Sequence, residues 1–236
     1  EKVRAKTIAI ASPTPASGCT TLAINMGAEL AQVGQKVLIV DAHSYLPSFA
    51  IRLGERGLTD SKELRNISNQ LWALEVTQGD ISGALSAIEK ARFEFDFIII
   101  DVGVMKDFPA ILTGRRWCSE IFIWVTTFAD ELWVMCKTDL VSLERLKKLT
   151  TELSHNTIKP DISFIQFSSS APKKYKSDND PFLQCVTPLR PSRVLVYPWD
   201  SRNVIAAEEE RSTLLDTNER GILRKSIRHL AGELVS

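Results

Sequence analysis

Thr7–Gly34, TIAIASPTPASGCTTLAINMGAELAQVG, decides the fold. It opens on a short apolar run, Ile8 to Ala11, that reads as a buried strand. A turn rich in Pro, Ser and Gly follows over Ser12–Gly18. Thr20 and Thr21 then lead into a helix on which Leu22, Ile24, Met26, Leu30 and Val33 mix with small residues. A strand, a tight loop and a helix starting at Gly-x-Thr make a phosphate-binding layout. In that layout backbone N–H groups and the positive helix end hold anionic oxygens.

The loop departs from the phosphate-loop pattern Gly-x-x-x-x-Gly-Lys-[Ser/Thr]. Gly18 fills the second glycine position, but Cys19 stands where the lysine belongs and Pro13 where the first glycine belongs. A thiol supplies no cation for the β- and γ-phosphates, and a thiolate repels them. Pro13 and Pro15 also remove two N–H donors from the loop. The expected phosphate contacts are Ser17, Gly18, Cys19, Thr20 and Thr21, with weak binding.

Outward from this stretch, apolar runs alternate with amphipathic ones. Lys36–Asp41 (KVLIVD) and Phe97–Asp101 (FIIID) are unalternating runs suited to parallel strands covered on both faces, and each ends in an aspartate. Ile67–Val76 is a further strand region, and Ile81–Phe93 an amphipathic helix. The pattern predicts a fourth strand at Ile121–Thr126 (IFIWVT), a long helix over Asp130–Thr151, and a strand at Ile162–Phe167. A polar surface loop over Ser168–Asp180, a short strand at Val194–Tyr197, and helices at Ala206–Leu215 and Gly221–Val235 complete the chain. The result is an α/β fold, a doubly wound, mostly parallel sheet with helices on both faces. Ligands of such folds bind beyond the carboxyl ends of the strands, where Asp41 and Asp101 sit.

The 236 residues suit one α/β domain spanning the whole chain; because the first residue is Glu1, an N-terminal domain ahead of it is also an expectation. Lys plus Arg equals Asp plus Glu at 29 each, which gives no overall field toward nucleic acid. The four cysteines, Cys19, Cys118, Cys136 and Cys185, show no Cys-x-x-Cys spacing, which points to reduced thiols in the cytoplasm. No apolar run reaches the roughly 18–20 residues that span a bilayer.

SPTPASGCTT, KVLIVDAHSYLPSFAIRLG and FDFIIIDVG, in this order and spacing, resemble the ParA/MinD superfamily of deviant Walker A P-loop ATPases. Pilus-assembly members of the CpaE/TadZ type look most similar, because they tolerate eroded nucleotide sites. YPWDSRNVIAAEEERSTLLD resembles the family's Pro–Trp/Tyr–Asp loop and the helix after it. The resemblance implies a P-loop NTPase fold, ATP and magnesium as ligands that are weak or absent here, a homodimer surface, and protein partners in a larger assembly.

Carried over residue by residue, the family's Lys-Gly-Gly-x-Gly-Lys-Thr-Thr falls on Thr14 to Thr21. The lysine that reaches a dimer partner's nucleotide becomes Thr14, and the phosphate-binding lysine becomes Cys19. The magnesium-ligating hydroxyl survives as Thr20, and the Walker B carboxylate as Asp101. The Asp-x-Asp motif becomes Asp41-Ala42-His43, so the water-orienting carboxylate is an imidazole. Gly103 stands for the switch glycine, and Ser168 and Ser169 stand near a missing base-reading asparagine. Asp41, His43 and Asp101 are thus vestigial catalytic candidates, and Thr20 and Asp101 the magnesium pair.

Other features have bland readings beside sharp ones. Cys19 at a helix N-terminus could be a reactive thiol, against a small residue tolerated in a disused loop. Among Trp117, Trp124, Trp133 and Trp199, the plausible interface anchors are Trp133 and Trp199, with Trp124 in the core. Lys173, Lys174 and Lys176 are followed by Asp178 and Asp180, which favours a solvated loop over a nucleic-acid patch. The final helix carries Arg220, Arg224, Lys225, Arg228 and His229 opposite an apolar stripe. That pattern suits peripheral membrane contact or, as the favoured reading, a closing helix packed on the sheet. Three functions follow: a non-hydrolysing localisation or assembly scaffold, as for a pilus or secretion apparatus; a slow Mg-ATP-dependent ATPase in division or partition; and, disfavoured by the neutral charge, a nucleic-acid-binding regulator.

Overall fold

The computed structural model describes residues 4–43, 47–55, 57–58, 63–114, 116–168 and 180–236. β1 (Lys6–Ser12), α1 (Cys19–Gln32) and β2 (Val37–Asp41) lie where the opening stretch places them. α2 (Phe49–Arg52), β3 (Arg65–Ser68), β4 (Leu71–Glu75), α3 (Ile81–Ala91) and β5 (Phe97–Val104) follow. Next come α4 (Phe108–Thr113), α5 (Trp117–Phe128), β6 (Glu131–Lys137), α6 (Leu140–Ser154) and β7 (Asp161–Ser168). α7 (Pro181–Val186), a 3-10 turn (Thr187–Leu189), β8 (Arg193–Pro198), α8 (Ser201–Glu210), α9 (Leu214–Thr217) and α10 (Ile222–Val235) end the chain.

The strands form one sheet in the order β3-β4-β2-β5-β1-β6-β7-β8, parallel except for the β3–β4 hairpin at one edge. Its apolar runs feed two cores. Leu38, Val40, Ile98 and Ile100 point to one face, among residues of α3, α5 and α6. Val37, Ile39, Ile8 and Ile10 point to the other, among residues of α1, α8 and α10. Both faces are therefore covered, as unalternating strands require.

Two predicted elements change type, and two more are subdivided. Ile121–Thr126 is helical, inside α5, with Ile121, Phe122 and Val125 buried at helical spacing. The long helix over Asp130–Thr151 is a strand and then a helix: β6 is buried over six of its seven residues, and Asp139 caps α6 by accepting from the Ser142 N–H at 3.0 Å. The strand region Ile67–Val76 is a hairpin turning through Gln70, whose φ is 63°. The helix Ala206–Leu215 divides into α8 and α9. The loop over residues 169–179, with Lys173, Lys174 and Lys176, lies outside the described residues, as does the Trp117 side chain.

The closing helix packs inward. Leu223, Ile227, Leu230 and Ala231 of α10 are buried in the core that holds α1, so the apolar stripe is not free to face a lipid surface. Arg224 leaves the basic face altogether: its Nε donates to Glu29 of α1 at 2.6 Å, with side chains 8% and 3% exposed. Among the described residues its Nη1 has no hydrogen-bond partner. No helix among the described residues is long and apolar enough to cross a membrane.

A buried pair of this kind costs more to break than to replace. Glu29→Ala is expected to destabilise the fold by about 3 kcal/mol and lower Tm by about 10 °C. Glu29→Met with Arg224→Leu should fall within about 1 kcal/mol of wild type in a denaturant titration. A double variant as unstable as the single one would show that the charge pair is not what joins these helices.

Candidate functional site

The carboxyl ends of β1, β2 and β5 converge on the loop between β1 and α1. Asp41 and Asp101 are register partners on neighbouring parallel strands, and both are fully buried. The Thr20 hydroxyl donates to Asp101 Oδ2 at 2.6 Å, and the Gly103 N–H donates to Asp101 Oδ1 at 3.0 Å. Asp41 accepts N–H groups from Ser48 at 2.6 Å, His43 at 3.1 Å and Phe49 at 3.1 Å, so it ties down the segment leading into α2. His43 lies against Gly103, whose φ is 69°; a Cβ there would collide with the imidazole.

Burial pushes Asp41 up to about 7, and the neighbouring Asp101 adds to the rise; the three N–H donors oppose it. Burial likewise raises Asp101 to about 6, against the Thr20 hydroxyl, the Gly103 N–H and the positive Arg52. Adjacent buried carboxylates cannot both ionise cheaply, and they titrate as a pair.

The loop is folded in on itself. The Thr14 carbonyl accepts the hydroxyls of Ser12 at 2.8 Å and Ser17 at 2.7 Å. Thr14 Oγ1 lies 2.9 Å from Ser17 Oγ and 3.1 Å from Ser142 Oγ, and the Thr14 side chain is buried. The position that carries a partner-reaching lysine in the resembled family thus points into the protein, toward α6. Lys137 Nζ donates to the Pro15 carbonyl from outside at 3.2 Å.

Gly18 sits at φ 88° as the residue before α1, the left-handed backbone that a loop turning into a helix here requires. Above it lie two rings. A Cβ at Gly18 would collide with Phe167 and touch Trp199, and those rings pack at a tilt with centroids 5.1 Å apart. Trp199 is therefore engaged with the loop; Trp133 is wholly buried and donates to Glu131 at 2.7 Å, so it is no surface anchor. Trp124 is a core residue as expected. Cys19 is buried, and burial drives its thiol far above the ordinary range, with Asp101 adding to the effect. The reactive-thiolate reading fails, because desolvation outweighs the helix dipole.

Together these residues line a cleft of about 190 Å³, bordered by Ala16 to Thr21, His43, Gly103, Trp199, Arg52 and Glu208. Small-molecule sites usually have about 300–1,000 Å³. Arg52 and Glu208 form an ion pair across it. Sequence reasoning named neither, nor Phe167, and no motif links residues so far apart in the chain. Thr20 and Asp101 suit a magnesium ion, which takes one or two protein oxygens and completes its shell with water and phosphate. Among the described residues there is no cluster of three or more His, Cys, Asp or Glu able to hold a metal by themselves. The donor set thus fits magnesium, whereas the buried thiol and the rings over Gly18 fit a triphosphate poorly.

Both raised carboxylates favour the folded state when protonated. Their stabilising protonation is complete below about pH 4 and is lost as pH rises through 6 to 7. Asp101→Asn can keep both contacts, since its amide can donate to Thr20 Oγ1. It is expected to be more stable than wild type by about 2 kcal/mol at pH 8, with the gap closing near pH 4. Thermal melts of both proteins across that range check this; a gap independent of pH would overturn it.

No family model matches the sequence, and no curated protein does. Solved structures do match. A ParA family ATPase from Chlorobium tepidum TLS aligns with TM-score 0.70 at 18% identity, over 98% of this chain and 99% of that one. The MinC:MinD cell division complex of Aquifex aeolicus gives 0.69 at 19% identity, covering 98% and 96%. Septum site-determining MinD from Pyrococcus horikoshii OT3, complexed with Mg-ADP, gives 0.68 at 16%, again covering 98% and 96%. At such identities the likeness is one of architecture: the chain has the fold of the ParA and MinD P-loop ATPases.

Proposed function

We propose that this protein is a degenerate ParA/MinD-like pseudo-ATPase, a non-hydrolysing scaffold that localises or assembles a larger machine such as a pilus or secretion apparatus. The observation that carries the reading is Cys19, a buried neutral thiol at the lysine position. Phosphoryl transfer depends almost wholly on positioning and on cations that meet the developing charge. Here the loop contributes no cation, Thr14 is turned inward, and His43 replaces the water-orienting carboxylate. The resemblance to CpaE/TadZ-type members points the same way, as does the small cleft. On this reading the protein acts in the cytoplasm through protein partners, with a homodimer as one mode of association. Nucleic acid is disfavoured by the balanced charge, and membrane contact comes through partners because the apolar face of α10 is buried.

A second reading has one observation behind it. The Thr20–Asp101 contact at 2.6 Å keeps the magnesium pair assembled, as a slow Mg-ATP-dependent ATPase in division or partition needs.

Calorimetric titration with ATP and magnesium, run beside a turnover assay, separates the two. The expected outcome is no turnover, with binding at millimolar ATP or weaker. Cys19→Lys is expected to tighten binding by about tenfold by returning the cation to the helix start. Turnover that disappears with Asp101→Ala would overturn the scaffold reading.

A further inference from the structure

Arg52 and Glu208 come from helices 156 residues apart in the chain, yet they meet across the mouth of the cleft. Both line it together with the loop that runs from Ala16 to Thr21. Arg52 is close enough to Asp101, the partner of the cleft residue Thr20, for its charge to act on that carboxylate. Among the described residues that line the cleft it is the one lysine or arginine. An arginine presents a planar fork that takes two phosphate oxygens at once, and it also pairs readily with a carboxylate.

The two side chains are 31% and 42% exposed, so the pair can re-form with other partners without unpacking a core. While it holds, Glu208 neutralises Arg52, and a phosphate entering the cleft meets an arginine whose charge is already matched.

We infer that Arg52 is the cation this cleft offers to a phosphate group in place of the loop lysine, and that Glu208 is a latch competing with phosphate for it. The inference rests on reading the cleft as a degenerate nucleotide site and adds a control to it. Two states alternate: Arg52 on Glu208 with the mouth bridged, and Arg52 on phosphate with Glu208 released to solvent. Weak binding then has two causes, the missing lysine and a cation that is already occupied.

The probes are Mg-ATP and magnesium pyrophosphate, titrated into the full chain by calorimetry. Glu208→Gln is expected to bind both about tenfold more tightly than wild type. Arg52→Gln in the Glu208→Gln background should cancel the gain. The exchanged pair, Arg52→Glu with Glu208→Arg, keeps the bridge but removes the cation from position 52, and should bind no more tightly than wild type; it also serves if a single variant misfolds. No gain in Glu208→Gln, a gain that survives the loss of Arg52, or a gain for ATP but not for pyrophosphate would each overturn the latch. Turnover followed in the same samples keeps the two ideas apart. Hydrolysis abolished by Asp101→Ala removes the scaffold reading and leaves the latch standing, whereas unchanged affinities without turnover do the reverse.

Discussion

Parallel register sets everything at this site. β1, β5 and β2 run side by side, with Ile10 opposite Asp101 and Asp101 opposite Asp41, so their carboxyl ends lie at one edge of the sheet. Because parallel strands need a helix to return, the chain leaves that edge each time through a loop. The loop after β1 supplies Gly18 and Thr20, the turn after β2 supplies His43, and the end of β5 supplies Gly103. Two buried carboxylates are brought together by this geometry whether or not they are needed there. Their raised proton affinity is the cost of the arrangement, and the N–H donors on Asp41 and the Thr20 hydroxyl on Asp101 offset part of it.

The same register explains which parts of the fold were legible in the sequence. β1, β2 and β5 are covered on both faces, so their apolar runs are continuous and end where a polar residue becomes necessary. α5 misled because IFIWVT is rich in β-branched and aromatic residues, which favour strands in isolation. The burial of Ile121, Phe122 and Val125, spaced for a helix face, overrides that preference. β6 and α6 misled in the opposite direction. Their apolar residues happen to continue one helical spacing through Leu132, Met135, Leu143, Leu146 and Leu149, and the break lies in the polar Lys137-Thr138-Asp139. Asp139 is the physical signal, since an aspartate three residues before a serine in a new apolar run makes a helix cap.

At the site, motif spacing located the residues joined through short chain segments and the strand ends: Gly18, Cys19, Thr20, Asp41, His43, Gly103 and Asp101 do meet. What was illegible are the long-range contacts that decide chemistry. Thr14 turns toward Ser142 on α6, Phe167 and Trp199 settle on Gly18, and Arg52 meets Glu208. Each depends on which elements the sheet order makes neighbours. That order was set partly by β6, the strand missing from the expected pattern. Arg224 shows the same limit: its spacing put it on a solvated helix face, but the approach of α1 brought Glu29 within reach.

The changes around the loop make physical sense as a set. A lysine at the Cys19 position would place a desolvated charge at a buried point unless phosphate neutralised it. A thiol fills the same point with no such demand. Aromatic rings pack against Gly18 where a Cβ would otherwise stand. The loop's hydroxyls bond to its own Thr14 carbonyl rather than waiting for oxygens from outside. Each of these contacts stabilises the free protein, on the proposed reading at the expense of readiness to bind. Asp41 and Asp101 run against this trend. Both are buried on neighbouring strands, one of them hydrogen-bonded to Thr20, and each gives up solvation that a neutral residue there would not need. Beside them Arg52 supplies an opposing charge, and its pull on Asp101 offsets part of that cost.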